Sequence, residues 1–349
     1  MLFARLVLLL VYLAPGSLAK PASTKKRTQW DQIAIDACAK ELESHKFDTD
    51  VKGRHATLCT YEPALGSWLH CAKDVLDSRK KSKKIFEKTF SKINQYCHDY
   101  HKDEVVSNEE DYRIFANASL FIRPLDEVKE NIRYPVTPNK ASLDRWVWAY
   151  FGPLDNIDKG NVYGVTICLY WIGVLFIAAV YHFLNFSRLK QTVFKNKVSA
   201  FLRGHYVLPA LVHNHAMSVG RWFFIGLVPT RLETLVLFGY VLLHGFLLSS
   251  YNFDHNELLS DRRSQVLIFL SDRAGILAFA HFPLIVLFGG KNSTMTWLTG
   301  IRYTAFITYH KWLGRFMLVD CTIHAIGYTY HAYIENYWKY VKYSDLWTC

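Results

Sequence analysis

The sequence predicts an all-α membrane protein in which a helical, disulfide-stapled ectodomain precedes about four transmembrane helices. Three observations predict this class. An apolar leader opens the chain, four cysteines lie in the charge-rich segment behind it, and long apolar runs are concentrated in residues 161–334 of the 349. A helix satisfies its backbone hydrogen bonds internally, so apolar runs of this length are expected to cross a bilayer as helices.

The first 19 residues are typical of a secretory signal peptide. They combine a basic Arg5, an apolar core and the small-residue ending Ser17-Leu18-Ala19. A first membrane anchor is the alternative, but the apolar core is short for a span. We therefore expect cleavage near Ala19 and entry into the secretory route.

Residues 20–160 are predicted to form an extracellular domain stapled by disulfides. An even number of cysteines in a secreted segment favours two disulfides, with three possible connectivities, among Cys38, Cys59, Cys71 and Cys97. A zinc site is the alternative, but no CxxC pair is present. Asn117 begins an Asn-Ala-Ser glycosylation sequon, which agrees with an extracellular or lumenal location.

Periodicity predicts helices within this domain. Apolar residues recur at i, i+3 and i+4 in residues 30–43 and 84–100, as on the buried face of an amphipathic helix. Residues 101–160 contain four prolines, and we expect irregular structure there: Pro124, Pro135, Pro138 and Pro153.

Four apolar runs are predicted to span the membrane. Residues 161–272 hold the first two spans and a basic cytoplasmic loop, and residues 273–349 hold the other two. The spans are expected at Val162–Leu184, Leu235–Ser250, Ala274–Gly290 and Trp312–Ile334. The last is the least apolar, because it carries several ionisable side chains.

The placement of charge predicts the topology. The net charge is +11, but between Phe186 and Leu232 seven Lys or Arg occur without one Asp or Glu. This pattern follows a span and indicates a cytoplasmic loop, so we exclude nucleic acid as a partner. The loop after the second span is acidic and the next is basic, which places the N-terminus outside. Asn292 also begins a sequon, which then falls in a cytoplasmic loop, and we expect it to be unused.

The predicted fourth span carries the main candidate site. His310 and His324 are fourteen residues apart, about 21 Å along a helix and within about 40° of one face. Neutral imidazole is a common ligand of haem iron, so the pair predicts axial ligands for two haems stacked across a membrane. Packed core histidines are the alternative. Arg315 is a candidate partner for a haem propionate, or an arginine that reaches to the membrane surface.

His244, His281 and Asp320 also lie in predicted spans. We expect His281 and His244 to be packed histidines bonded to a backbone carbonyl opened by a nearby Pro or Gly, with axial ligation as the alternative. Asp320 is expected to pair with Arg315 or with a neighbouring helix, and we give it no catalytic role.

Several stretches closely resemble fungal plasma-membrane ferric reductases, which are similar to the membrane NADPH oxidases. In the membrane half these are DRAGILAFAHFPLIVLFGGKN (272–292) and YTAFITYHKWLGR (303–315), which His324 follows. Further stretches are CTYEPALGSWLHC (59–71), PTRLE (229–233) and SYNFD (250–254).

The resemblance implies an electron path. Cytosolic NADPH reduces FAD, and electrons cross two b-type haems to reduce Fe(III) or Cu(II) chelates outside the cell. His310 corresponds to the inner-haem ligand and His324 to the outer one, in a plasma-membrane protein. The iron of each haem takes a second histidine from another helix.

The sequence departs from the family pattern after the fourth span. The family's second histidine-pair helix, a flavin motif of the HPFT type and a Gly-rich nucleotide fingerprint are not found in residues 1–349. We therefore expect residues 273–349 to be the start of a truncated haem-binding domain that alone binds little haem. The first hypothesis is the membrane portion of a ferric/cupric-chelate reductase. The second is an incompetent truncated protein, or a non-catalytic partner that forms homo- or hetero-oligomers with full-length relatives.

Overall fold

A computed structural model of the protein describes residues 28–100, 108–125, 131–186, 197–212, 218–219, 226–251, 261–290 and 294–335. The predicted signal peptide and Asn292 lie outside these ranges. Regular structure in the described residues is almost entirely helical, which confirms the predicted class. The chain divides into two compact units, and the boundary follows Asp158.

Unit 1 is built from five helices and the beginning of a sixth. They are α1 (Trp30–Leu42), α2 (Arg54–Thr60), α3 (Glu62–Ser78), α4 (Lys83–Tyr100), α5 (Asn108–Phe121) and α6 (Lys140–Phe186), the last of which contains the boundary. Two short parallel strands, β1 (Arg123–Pro124) and β2 (Val136–Thr137), pair Arg123 with Val136. The predicted helices near residues 30–43 and 84–100 are confirmed.

The expectation of irregular structure over residues 101–160 is wrong. Helix α5 and the start of α6 occupy much of that range, and Pro153 lies inside α6. A proline within a helix removes one backbone hydrogen bond, here to the carbonyl of Ala149. The 47-residue helix accommodates that single loss.

Two disulfides cross-link unit 1. Cys38 pairs with Cys71 and joins α1 to α3, while Cys59 pairs with Cys97 and joins α2 to α4. This confirms two disulfides and selects one of the three connectivities. Between the cross-links, the buried Trp68 indole donates a hydrogen bond to the carbonyl of Ile35 at 3.0 Å.

Unit 2 is a helical bundle. Beyond the second part of α6, its helices are α7 (Lys197–Leu202), α8 (Arg231–Ser249), α9 (Arg262–Gly289), α10 (Thr294–Thr299) and α11 (Tyr303–Ile334). A π-helical turn (Arg203–Val207) and the antiparallel strands β3 (Ser218–Val219) and β4 (Gly226–Leu227) lie between α7 and α8.

Helix α8 begins with a capping box within the PTRLE stretch. The Thr230 hydroxyl accepts from the backbone N–H of Glu233 at 3.1 Å, and the Glu233 carboxylate accepts from the N–H of Thr230 at 2.9 Å. Asp261 caps α9 in the same way by accepting from the N–H of Ser264. These caps satisfy N–H groups at the helix starts.

Three helices in the described residues, α6, α8 and α9, are long and apolar enough to cross a membrane. Helix α11, the predicted fourth span, has 32 residues but is not among the three. It carries Lys311, Arg315 and Asp320, which lower its hydropathy. Large apolar side chains such as Phe176, Ile177 and Phe279 are two-thirds or more exposed, as expected for a surface that contacts lipid.

The bundle packs around aromatic residues. The ring of Trp171 on α6 lies 5.1 Å from that of Tyr309 on α11 and 5.3 Å from those of Tyr240 on α8 and Phe288 on α9. Helices α9 and α11 run antiparallel and pack closely along their length. A Cβ on Gly327 of α11 would lie 2.0 Å from the Ser271 hydroxyl of α9, so the helices approach closely here and a larger residue would force that hydroxyl to rotate.

Candidate functional site

His310 and His324 both extend from α11 to α9, and each is held through Nδ1. The Nδ1 of His310 lies 2.9 Å from the carbonyl oxygen of Ile285, and that of His324 lies 2.8 Å from the carbonyl oxygen of Ser271. A carbonyl oxygen accepts and never donates, so both Nδ1 atoms must carry the proton. Neutral rings of this tautomer have their lone pair on Nε2.

Two glycines of α9 make room for the two rings. A Cβ on Gly275 would lie 2.6 Å from Nδ1 of His324, and a Cβ on Gly289 would lie 3.2 Å from Cε1 of His310. The glycines are fourteen residues apart, as the histidines are, because the helices run antiparallel side by side. Each ring therefore crosses a glycine and donates to the carbonyl four residues before it. These glycines were not predicted from the sequence, although the shared spacing was a visible signal.

The arrangement fits one axial ligand for each of two haems. A histidine that ligates iron through Nε2 is usually fixed by a hydrogen bond from its Nδ1–H, which both rings make. Within the described part of the chain, neither Nε2 has a hydrogen-bonding partner. His310 is half-buried and His324 is exposed, so both rings can be approached from outside the bundle. The axial-ligand assignment itself stays a prediction.

Arg315 is not held against either histidine. Five residues of helix turn it about 140° away from His310, and its guanidinium lies over the ring of Trp312, 5.1 Å from the centroid. Its role toward a propionate stays a prediction. Asn117, the predicted glycosylation site, lies exposed on α5, as an acceptor must.

The two other membrane histidines meet Asp320. The Nε2 of His244 lies 3.2 Å from Oδ1 of Asp320, and the Nδ1 of His281 lies 3.7 Å from Oδ2. Asp320 thus pairs with a neighbouring helix, one of its two predicted alternatives. His244 contacts a carboxylate, so the expectation of a backbone carbonyl is wrong for that residue.

His281 does contact a backbone carbonyl, but a different one from that expected. Its Nδ1 lies 2.6 Å from the carbonyl oxygen of Leu277, four residues earlier. Pro283 opens the carbonyl of Phe279, so proline is not the cause of this contact. The Nε2 of His281 is hydrogen-bonded to the hydroxyl of Tyr240. Among the described residues, neither His244 nor His281 contacts His310 or His324.

Comparison with known proteins gives one family and several long relatives. Residues 274–349 match the ferric reductase like transmembrane component family. Over 344 residues the chain is 35% identical to the ferric/cupric reductase transmembrane component 2 of Saccharomyces cerevisiae, covering 97% of this chain and 48% of the relative. For component 3 of the same yeast the identity is 34% over 338 residues, covering 95% and 47%.

A Candida albicans ferric/cupric reductase transmembrane component 1 is 33% identical over 190 residues, covering 52% of this chain and 25% of the relative. The chain spans about half the length of the curated yeast relatives it matches. No solved structure matches it.

Proposed function

Because this chain belongs to the family of ferric reductase transmembrane components, we propose that it forms one wall of an electron path that crosses a membrane through two b-type haems. The finer proposal is that electrons from cytosolic NADPH pass through FAD and these haems to extracellular Fe(III) or Cu(II) chelates. The observation that carries it is the paired geometry of His310 and His324. Each ring has Nδ1 on a carbonyl of α9 and Nε2 open.

The chain's own residues would perform three tasks in this path. His310 and His324 would each supply one Nε2 lone pair to iron, about 21 Å apart along α11. The carbonyls of Ile285 and Ser271 would hold the rings in one tautomer and raise their basicity. Haem, when bound, accepts and passes on one electron at a time. A further ligand for each haem would come from a helix outside the described residues or from a second chain.

The direction of electron flow follows from which side of the membrane each part of the chain faces. The two disulfides of unit 1 are typical of an oxidising compartment, which supports an extracellular N-terminal domain. The basic segment between Phe186 and Leu232 supports a cytoplasmic loop. His310 is then nearer the cytosol and His324 nearer the outside, in a multi-pass protein of the plasma membrane.

The proposal is tested by reduction of a ferric chelate at the surface of cells that express the protein in its natural membrane. A membrane-impermeant ferrous chelator reports the product. We expect His310→Ala and His324→Ala each to abolish the reduction that depends on this protein, because one missing ligand interrupts a path in series. His205→Gln, which removes an exposed histidine of the same unit, should leave the rate unchanged.

Retention of the full rate in either alanine variant would contradict the ligand roles. If deletion of the protein leaves surface reduction unchanged, the protein is instead the non-catalytic partner of the second hypothesis. Surface abundance of each variant, measured with an epitope tag, separates loss of function from loss of the protein.

A further inference from the structure

Three buried ionisable side chains meet where α8, α9 and α11 converge, apart from the two haem-ligand candidates. They are His244, His281 and Asp320, called here the His–Asp cluster. His244 is 4% exposed, and the other two are fully buried. The electron path proposed above uses none of them.

The spacing of these groups suits one metal ion. One ligand atom from each residue lies within 4.8 Å of the other two. The Nε2 of His244 lies 3.2 Å from Oδ1 of Asp320, and the Nδ1 of His281 lies 3.7 Å from Oδ2. A tetrahedral ion with bonds of about 2.0–2.1 Å places its ligand atoms about 3.3 Å apart. The first pair already has this spacing, and the remaining ligand atoms would move closer together by at most about 1.5 Å.

The charge of the cluster also favours a cation. Asp320 has no Lys or Arg within ion-pair distance in the described residues, and its Oδ2 has no hydrogen-bonding partner there. An uncompensated carboxylate is costly in a membrane bundle, so such a group usually has a positive partner. Two neutral imidazoles supply nitrogen ligands but no charge.

We propose that the His–Asp cluster binds one transition-metal ion of the class that imidazole and carboxylate select, such as zinc or copper. The ligands are His244 Nε2, His281 Nδ1 and the carboxylate of Asp320. The set is assembled from three helices, so the ion ties α8, α9 and α11 together between the levels of His310 and His324. Asp320 lies about 15 Å from the first and about 6 Å from the second along α11.

Binding requires each imidazole to move its proton to the other ring nitrogen. His281 loses the proton on Nδ1, which now donates to Leu277, and gains one on Nε2. The Tyr240 hydroxyl at Nε2 suits both states, because a hydroxyl donates to a lone pair and accepts from an N–H. His244 likewise keeps one proton, now on Nδ1. Both rings stay neutral, and the Leu277 carbonyl keeps its backbone helix bond.

The metal content of the purified chain tests the proposal. The burial of the cluster means that the ion is acquired as the helices assemble, so the chain is purified in detergent and washed with EDTA before analysis. Zinc, copper and non-haem iron are measured by mass spectrometry, with haem iron determined separately from its absorption. We expect about one equivalent of one metal per chain. Asp320→Asn and His281→Gln should reduce it to background, whereas His205→Gln should keep it.

A second measurement does not depend on the folding of variants. Chain produced in medium containing Co²⁺ should show the visible d–d absorption of a low-symmetry site with nitrogen and oxygen ligands. A wild-type chain that folds but carries neither a stoichiometric metal nor this absorption overturns the proposal, and a proton then compensates Asp320. Metal retained in both cluster variants overturns it as well.

Discussion

The two units surround a buried carboxylate with different partners. In unit 1, Asp31 is 4% exposed and is bound by the ammonium groups of Lys88 at 2.6 Å and Lys92 at 3.0 Å. Burial raises the pKa of Asp31, but the hydrogen bonds and charges of the two lysines outweigh it and leave the pKa below its ordinary value. The lysines carry this charge on long stems whose ends remain partly in water.

In unit 2, the fully buried Asp320 has the imidazoles of His244 and His281 as its basic partners within ion-pair distance among the described residues. A lysine stem there would have to reach out of a membrane bundle, and the imidazoles that lie beside Asp320 instead supply nitrogen atoms but no charge. The interactions that join the helices also differ between the two units. Unit 1 is joined by disulfides, whereas α9 and α11 are joined by glycine contacts and by histidine bonds to backbone carbonyls. The comparison shows that each unit is stabilised by interactions suited to its surroundings, water for unit 1 and a membrane for unit 2.

Removing a cross-link of unit 1 should have the largest effect on stability. The double variant Cys38→Ser, Cys71→Ser opens a loop with a sequence separation of 33 residues. The unfolded state then gains entropy, and we expect the free energy of unfolding of unit 1 to fall by about 3–4 kcal/mol. Protease resistance of unit 1 in the full chain, measured across a urea series, reports this loss. Cys321→Ser removes an exposed free thiol and should change little; equal effects would contradict the account.

Filling a glycine contact of unit 2 should have the next largest effect. The Cβ of Gly275→Ala would lie 2.6 Å from Nδ1 of His324, so the ring must move and lose its bond to Ser271. We expect a loss of about 1–3 kcal/mol, measured as thermal unfolding in detergent. Gly173→Ala is the matched control, because a Cβ there has no atom within 4 Å. The Gly173→Ala variant should have unchanged or slightly raised thermal stability. Equal losses of stability in both variants would contradict close packing of α9 against α11.

The stability of unit 1 should depend on the protonation of Asp111, which, unlike Asp31, forms no ion pair with a lysine among the described residues. Its pKa is raised by burial from 3.8 to about 6, although a hydrogen bond from Asn94 opposes the rise. The folded state therefore binds more protons than the unfolded state between about pH 4 and 6. Lowering the pH from 7 through 6 toward 4 should stabilise wild type relative to Asp111→Asn by about 1–3 kcal/mol. Urea series at each pH measure the difference; a difference that is constant across this range would contradict the raised pKa.

Glycosylation of Asn117 should affect stability least, but it reports directly on which side of the membrane unit 1 lies. We expect Asn117 to be glycosylated, since its sequon is exposed on α5 in the predicted extracellular unit. Asn117→Gln should abolish the shift in electrophoretic mobility that a glycosidase causes. Asn292→Gln should leave it intact, and a glycan on Asn292 would reverse the proposed topology.

Much of the fold was predictable because it depends on side-chain patterns. Amphipathic spacing predicted α1 and α4, and the four cysteines predicted two disulfides. Their connectivity was not predictable, because it depends on which helices become neighbours. Pro153 wrongly suggested irregular structure, since one lost backbone bond does not end a long helix.

The candidate site was predictable only in its side chains. The spacing of His310 and His324 was visible, but their partners are the backbone carbonyls of Ile285 and Ser271, which leave no mark on a sequence. Gly275 and Gly289 had the matching spacing, yet a lone helical glycine is ordinarily only a weak point. The pairing of Asp320 with His244 bridges 76 positions, so it depends on how α8 packs against α11.

The central claim is that His310 and His324 each ligate a different haem. A potentiometric titration of haem absorbance, in natural membranes that contain the protein, tests it most directly. We predict two one-electron steps in wild type and a single step in His310→Ala and in His324→Ala, with a different step lost in each. Retention of both steps in either variant would contradict the claim.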